Sequence, residues 1–380
     1  MSDLGEAGYQ RFAGWTRMQS RLFAAVFVLL LIASAIVPIR AGPQVTKRVG
    51  FVEAVAGGAA AKAAERARDD DLALYDRVIA RIGKGENYYP VVAEEHRRSN
   101  YPLRPGLAVR LPTLAYFAAW LGDPGKGADV FVPAEMGLAI VLAGSVIWAW
   151  WRRLGEEPGG HDRRLMGAAL VFFGASLGLN RYFFVLHELW AGMLLALALG
   201  LHRPGRKYLG AVLVAGLALA IREHVLPFIL LMAAMAAWRR DWKEAAIWCL
   251  PVVLFAGGLA WHLHLVAQQV LPSDPVGPSW LEMRGLSGFL SNVVLFSNLR
   301  FLPHYVAGPI VMLAMVGWAA WKSPLGTTAT LLFSGYATAF AIVGRPDNFY
   351  WGGVIAPALF VGLAFVPMAV KSLVRASFSS

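Results

Sequence analysis

The chain has 380 residues, of which 57% are hydrophobic and only 16% charged, and its mean hydropathy is +0.53. A soluble domain of this length carries more charged surface; the formal charge of +11, which in a soluble protein would point to nucleic acid, reads here as basic cytoplasmic loops facing anionic lipid. The single cysteine, Cys249, excludes an intrachain disulfide and a Cys-rich metal site.

Residues 1–21 form a polar head with Arg11, Arg17 and Arg21, and 22–39 is the first apolar block. No small-residue cleavage site follows it, so it reads as a retained signal anchor. Further apolar blocks cover 133–151, 164–180, 183–202, 208–221, 224–238, 243–263, 304–321, 325–343 and 350–370. Most approach the roughly 20 residues needed to cross a hydrocarbon core about 30 Å thick. Between them, Arg152, Arg153, Arg163 and Arg164 share one short loop, and His202, Arg203, Arg206 and Lys207 another. Arg239, Arg240 and Lys243 mark a third, Lys322 a fourth, and Lys371 and Arg375 lie in the tail. Every second loop is therefore basic, which places both termini in the cytoplasm.

The expected fold is an all-α integral membrane protein of about ten transmembrane helices. A large extracytoplasmic first loop, 40–132, carries amphipathic and interfacial helices; a helix bundle, 133–370, includes a second outer loop, 264–303; and 371–380 is a cytoplasmic tail. The segment 106–121 contains Arg110 and Pro112, which suits a helix at the interface or re-entrant into protein better than a lipid-facing span. Residues 54–67 are Ala-rich and expected to be helical.

Within the first loop, Asp71, Tyr75, Val78 and Ile82 fall on one apolar face of a helix, whereas Asp70 aligns with Leu74, Arg77 and Arg81. Asp71 thus heads an apolar stripe. The aspartates equally suit a helix start and its dipole, and an Asp69–Asp71 pair suits a divalent metal. Glu86, Tyr88 and Tyr89 follow, a Gly- and Pro-flanked run with aromatic surfaces that suit a sugar or interfacial anchoring. Glu94, Glu95 and His96 read as a solvated helix face or as metal ligands, and Arg104 lies in Tyr101-Pro102-Leu103-Arg104-Pro105.

Charge on the expected outer side is the stronger signal. Asn180-Arg181-Tyr182, Arg222-Glu223-His224 and Arg345-Pro346-Asp347-Asn348 all fall at outer helix ends, with His262, His264 and His304 nearby. Short outer loops do not favour cations. Either local pairs hold them, Arg222 with Glu223 and Arg345 with Asp347, or they converge on an anionic ligand such as a phosphate. His187-Glu188 lies deeper, and an intramembrane ionisable pair is a functional candidate by default; a helix–helix hydrogen bond is the alternative.

This arrangement resembles the glycosyltransferase C superfamily. Asp71-Leu72-x-Leu74-Tyr75, followed by Gly85 and Tyr89, is similar to the first-loop pattern of bacterial polyprenol-phosphate-mannose-dependent mannosyltransferases, and Tyr101-Pro102-Leu103 stands where that family has Tyr-Pro-Pro. The likeness is specific over 71–121 and architectural elsewhere; the second Pro of Tyr-Pro-Pro is absent, and Tyr88 replaces the Pro before Tyr89. The resemblance implies an inverting, metal-independent transferase without a cofactor, in a bacterial inner membrane with its site facing the periplasm. It would move sugar from a polyprenyl-phosphate donor to a hydroxyl of a lipid, glycan or protein acceptor, with Asp71 as general base. Tyr75, Glu86, Tyr88, Tyr89, Arg104, Arg181, His187, Glu188, Arg222, His224 and Arg345 are the candidate substrate-binding residues. Three other readings compete: a ligase or polymerase of lipid-linked glycans, whose long loop generally lies late in the chain; a transporter or flippase, which would show repeat-related halves; and a non-catalytic assembly subunit.

Overall fold

A computed structural model describes residues 8–41, 70–122 and 133–378. The Ala-rich stretch 54–67 and Asp69 lie outside them. Among the described residues the chain is helical, and its only β-type pairings are isolated bridges. Among the described residues, five helical runs are long and apolar enough to cross a membrane: Arg17–Ile36, Ala134–Glu156, Trp242–Ala267, Pro324–Ile342 and Ala356–Phe378; shorter apolar helices pack among them.

Helix α1, Arg17–Ile36, starts at a Thr16–Gln19 capping box and stops before Pro38. Helices α2, Asp70–Ile82, and α3, Tyr88–Arg98, form a small layer with the following segment. Leu74, Val78 and Ile82 of α2 bury against Tyr88, Val91 and Val92 of α3 and against Leu103 and Val109. The helical spacing aligns Leu74 with the charged Arg77 and Arg81, yet α3 and the 103–109 segment cover Leu74 and bury it. Arg77 and Arg81 nonetheless share the expected face, and it is lined with carboxylates: Arg77 meets Glu95 at 2.6 Å, and Arg81 meets Glu86 at 2.5 Å and Glu94 at 2.7 Å. Glu95 and His96 are therefore not a solvated face. Both are buried, Glu95 in that ion pair and His96 with its Nδ1 3.1 Å from the Pro102 carbonyl oxygen.

Helix α4, Thr113–Leu121, follows Pro112. Its short length, about 1.5 Å of rise per residue, spans roughly half of a hydrocarbon core. The bundle then runs through α5, Pro133–Glu156; α6, Arg164–Ala175; α7, His187–Leu201; α8, Leu209–Ile221; α9, Leu226–Trp238; α10, Trp242–Ala267; α11, Gly285–Leu295; α12, His304–Ala320; and α13, Pro324–Ile342. Helix α11 falls in the stretch read as an outer loop. It is short and contains Gly, Ser and Asn, so it lacks the signal of a span, yet Gly288 through Val294 are buried. The last apolar block is not one regular α-helix. It breaks into 3-10 turns at Pro346–Val354 and Phe360–Phe365 around α14, Ala356–Leu359, and ends in α15, Val366–Phe378. Close crossing explains part of this: a Cβ on Gly317 of α12 would lie 1.8 Å from the Gly362 carbonyl oxygen, so glycine alone lets the backbones meet.

Contacts sort the segments to two ends. Arg153 donates to the His202 carbonyl oxygen at 2.6 Å, and Trp321 Nε1 donates to that of Pro158 at 2.8 Å. His202 and Arg239 meet Glu244 at 2.8 and 3.0 Å. Arg11 donates to the Ala319 carbonyl oxygen at 2.8 Å. The basic segments thus gather at one end, and α2, α3 and the 222–224 and 345–350 segments meet at the other.

Candidate functional site

At that other end lies a cavity of about 670 Å³. Helix α2 supplies Asp71 and Tyr75, the segment before α4 supplies Tyr101 and Arg110, and the turn between α8 and α9 supplies Arg222, Glu223 and His224. Arg300 enters from the turn before α12, and Arg345, Asp347, Tyr350 and Trp351 from the broken segment after α13. Apolar side chains such as Leu107, Leu226, Leu295 and Phe340 complete the wall. The lining thus combines charged and polar groups with apolar side chains, a mixture that can take an amphiphile.

The first turn of α2 puts Asp71 beside Tyr75, and the Tyr101 hydroxyl donates to the Asp71 carboxylate. The Tyr75 hydroxyl accepts from Arg110 Nε at 3.0 Å. Burial pushes that hydroxyl up to about 12, so it stays protonated at neutral pH. Arg110 also donates to the Tyr350 hydroxyl at 3.3 Å. The Tyr88 hydroxyl donates to the Arg110 carbonyl oxygen at 2.6 Å, fixing its backbone.

The turn that ends α8 leaves Arg222 in extended backbone, pointing into the bundle. It is 1% exposed, 2.7 Å from Glu188 and 2.5 Å from Glu223. His224 lies 3.2 Å from Glu223 and edge-on to Trp351 with ring centres 4.5 Å apart. Arg345 meets Asp347 at 3.1 Å. Both local pairs expected from the sequence therefore form, and both arginines still line the cavity. Arg300 stacks over Phe183 and Phe301, 5.6 and 4.9 Å from the ring centres.

Of the residues singled out from the sequence, Asp71, Tyr75, Arg222, His224 and Arg345 come together in this cavity. Arg181 sits in the 3-10 turn Arg181–Phe183, whose Tyr182 and Phe183 line it. His187 and Glu188 lie behind the wall, His187 edge-on to Tyr75 at 5.0 Å between ring centres. Four candidates lie elsewhere. Glu86 is exposed and bound to Arg81, Tyr88 is buried in the outer layer, Tyr89 approaches His262 at 3.4 Å, and Arg104 donates to the Asp274 carbonyl oxygen at 2.6 Å. Tyr89 and Arg104 thus dock the outer layer onto α10 and the chain beyond it, together with Arg97, which meets Asp274 at 2.8 Å.

Sequence reasoning passed over Arg110, Tyr101, Arg300 and Tyr350 as site residues. Arg110 did carry a signal, a cation inside an apolar segment; Tyr101 and Tyr350 look like interfacial tyrosines until the fold turns them inward. Compared with known proteins, the chain matches no family model, no curated protein and no solved structure.

Chemically, the cavity brings a carboxylate held by a tyrosine into the same lining as a set of guanidinium groups. A carboxylate can accept a proton, and guanidinium groups can hold an anion.

Proposed function

We propose that this chain is a membrane glycosyltransferase that moves a sugar from a polyprenyl-phosphate donor to a hydroxyl of a lipid, glycan or protein acceptor. The observation that carries the reading is that Asp71 shares one amphiphilic cavity with Arg110, Arg222, Arg300 and Arg345. In this reading the donor phosphate lies among the arginines and its prenyl chain along the apolar wall. The acceptor oxygen attacks the anomeric carbon from the side of Asp71, which takes the hydroxyl proton as the C–O bond forms. The bond from the anomeric carbon to the phosphate oxygen breaks, and its electron pair leaves with the polyprenyl phosphate. The guanidinium groups bear that charge, so the leaving group needs no strong acid. Attack opposite the leaving group inverts the anomeric carbon.

The topology that fits is about ten spans with both termini in the cytoplasm and the cavity facing the periplasm of a bacterial inner membrane. Gathering of the basic segments at the end away from the cavity supports this orientation.

The test uses the protein in lipid nanodiscs with mannosyl polyprenyl phosphate, an extracted membrane acceptor fraction and chromatographic detection of released polyprenyl phosphate. Acceptor-dependent release that Asp71→Asn abolishes is the expected result. Transfer of intact donor across a vesicle bilayer without cleavage would replace the reading with a transporter.

A further inference from the structure

Glu188, in the first turn of α7, is 0% exposed and does not line the cavity. Two arginines that do line it reach Glu188 from different parts of the fold. Arg222 arrives from the end of α8 at 2.7 Å, and Arg110 from the outer layer at 3.8 Å. Arg110 continues to the Tyr75 hydroxyl at 3.0 Å, and Tyr75 sits one turn from Asp71 on α2. One enclosed carboxylate is therefore joined on one side to the helix that carries Asp71 and on the other to the bundle arginine beside His224.

A carboxylate out of water is costly unless it is paired. Two guanidinium groups in the same low-dielectric place repel unless an anion lies between them. Glu188 is that anion, and it satisfies both conditions without reaching the ligand. We propose that Glu188 is a positioning residue that clamps Arg110 and Arg222 from behind the wall and so sets their spacing relative to Asp71. This rests on the reading of the cavity as the site of transfer.

Four variants in nanodiscs test it: Glu188→Gln, Glu188→Asp, Arg222→Gln, and Glu188→Gln with Arg222→Gln. Binding of polyprenyl monophosphate is followed by tryptophan fluorescence, since Trp280 and Trp351 line the cavity. Glu188→Gln removes negative charge near the arginines, so the probe binds at least as tightly as to the parent. Turnover falls on the order of 10²-fold, the cost of a misplacement near 1 Å. Glu188→Asp, which keeps the charge, recovers most of the turnover. Loss of probe affinity in step with turnover would mean that Glu188 serves the ligand directly, and unchanged turnover would mean that it sets nothing; either result overturns the proposal. Should Glu188→Gln fail to fold, Glu188→Asp decides: turnover only a few-fold below the parent with retained affinity supports the clamp, and joint loss of turnover and affinity overturns it.

A ligand-free measurement separates this from failure of the transferase reading. Thermal unfolding of the parent, Glu188→Gln, Arg222→Gln and the double variant forms a cycle. A double variant that loses less than the sum of the two keeps Glu188 as the holder of Arg222, even where the parent neither binds the probe nor turns over. Additive losses overturn the clamp whatever the activity.

Discussion

Asp71→Asn keeps the size of the side chain and an oxygen that can accept the Tyr101 hydroxyl, so the substitution removes proton acceptance with little change of position. A general base contributes about 10²–10⁴ in rate, or about 3 to 5 kcal/mol of barrier. The same change deletes a negative charge from a cavity that contains Arg110, Arg222, Arg300 and Arg345, so an anionic donor binds the variant as well as the parent or better. The expected signature is therefore a fall in kcat of two to four orders of magnitude with KM for donor unchanged or lower. The assay is donor-dependent release of polyprenyl phosphate in nanodiscs, with probe binding measured in parallel. Asp70→Asn removes the same charge one residue away and is expected to stay within a few-fold, because a charge at a helix start is worth about 0.3–1 kcal/mol. Turnover of Asp71→Asn within a few-fold of the parent would refute the catalytic role. An inactive Asp70→Asn beside an active Asp71→Asn would place the base on the other face of α2.

Arg345→Gln should weaken binding of polyprenyl monophosphate while shifting stability by no more than about 1 kcal/mol, because its partner Asp347 is partly exposed; titration and thermal unfolding of one preparation check both. Arg222→Gln should instead cost on the order of 3–5 kcal/mol, since it leaves the enclosed Glu188 with only the more distant Arg110 at 3.8 Å, and unfolding measurements that find it silent would remove that pair. Burial pushes His96 down to about 4, so the folded protein keeps it neutral while the unfolded chain binds a proton below about 6.5. Its contribution is complete above that pH and falls by about 1.4 kcal/mol per unit as the pH drops to 4, about 3 kcal/mol in all; His96→Gln should flatten that part of the stability profile. In a Cys249→Ala background, a cysteine at Asn87 should react with a membrane-impermeant thiol reagent in intact cells, and cysteines at Arg206 or Arg240 should not; labelling of the latter pair would invert the orientation. Chelators should leave turnover intact, and loss that Mn²⁺ or Mg²⁺ restores would move the chemistry to an Asp-x-Asp metal site.

Much of this protein is written locally. Apolar runs of the right length and basic residues in alternate loops foretell the helices of the bundle and the gathering of Arg153, Arg203 and Arg239 at one end, because a helix needs only its own residues to satisfy its backbone in lipid. The placement of Asp71 and Tyr75 on one face follows from the helical period, and Arg222 with Glu223 and Arg345 with Asp347 were legible as near neighbours. The breaks at Pro346–Val354 and Phe360–Phe365 and the burial of α11 were not. They depend on backbones meeting across the bundle, as Gly317 meets Gly362, and no single apolar run records its partner. The same holds at the site: the joining of Arg110 to Tyr75 and Glu188, and the turning of Tyr101 onto Asp71, bring together residues far apart in the chain. Sequence alone marked the carboxylate and several of the cations as out of place for a membrane chain. Only the packing of the outer layer on the bundle decided that they face one cavity, because a charge in a low dielectric is settled by whatever partner the fold brings within reach.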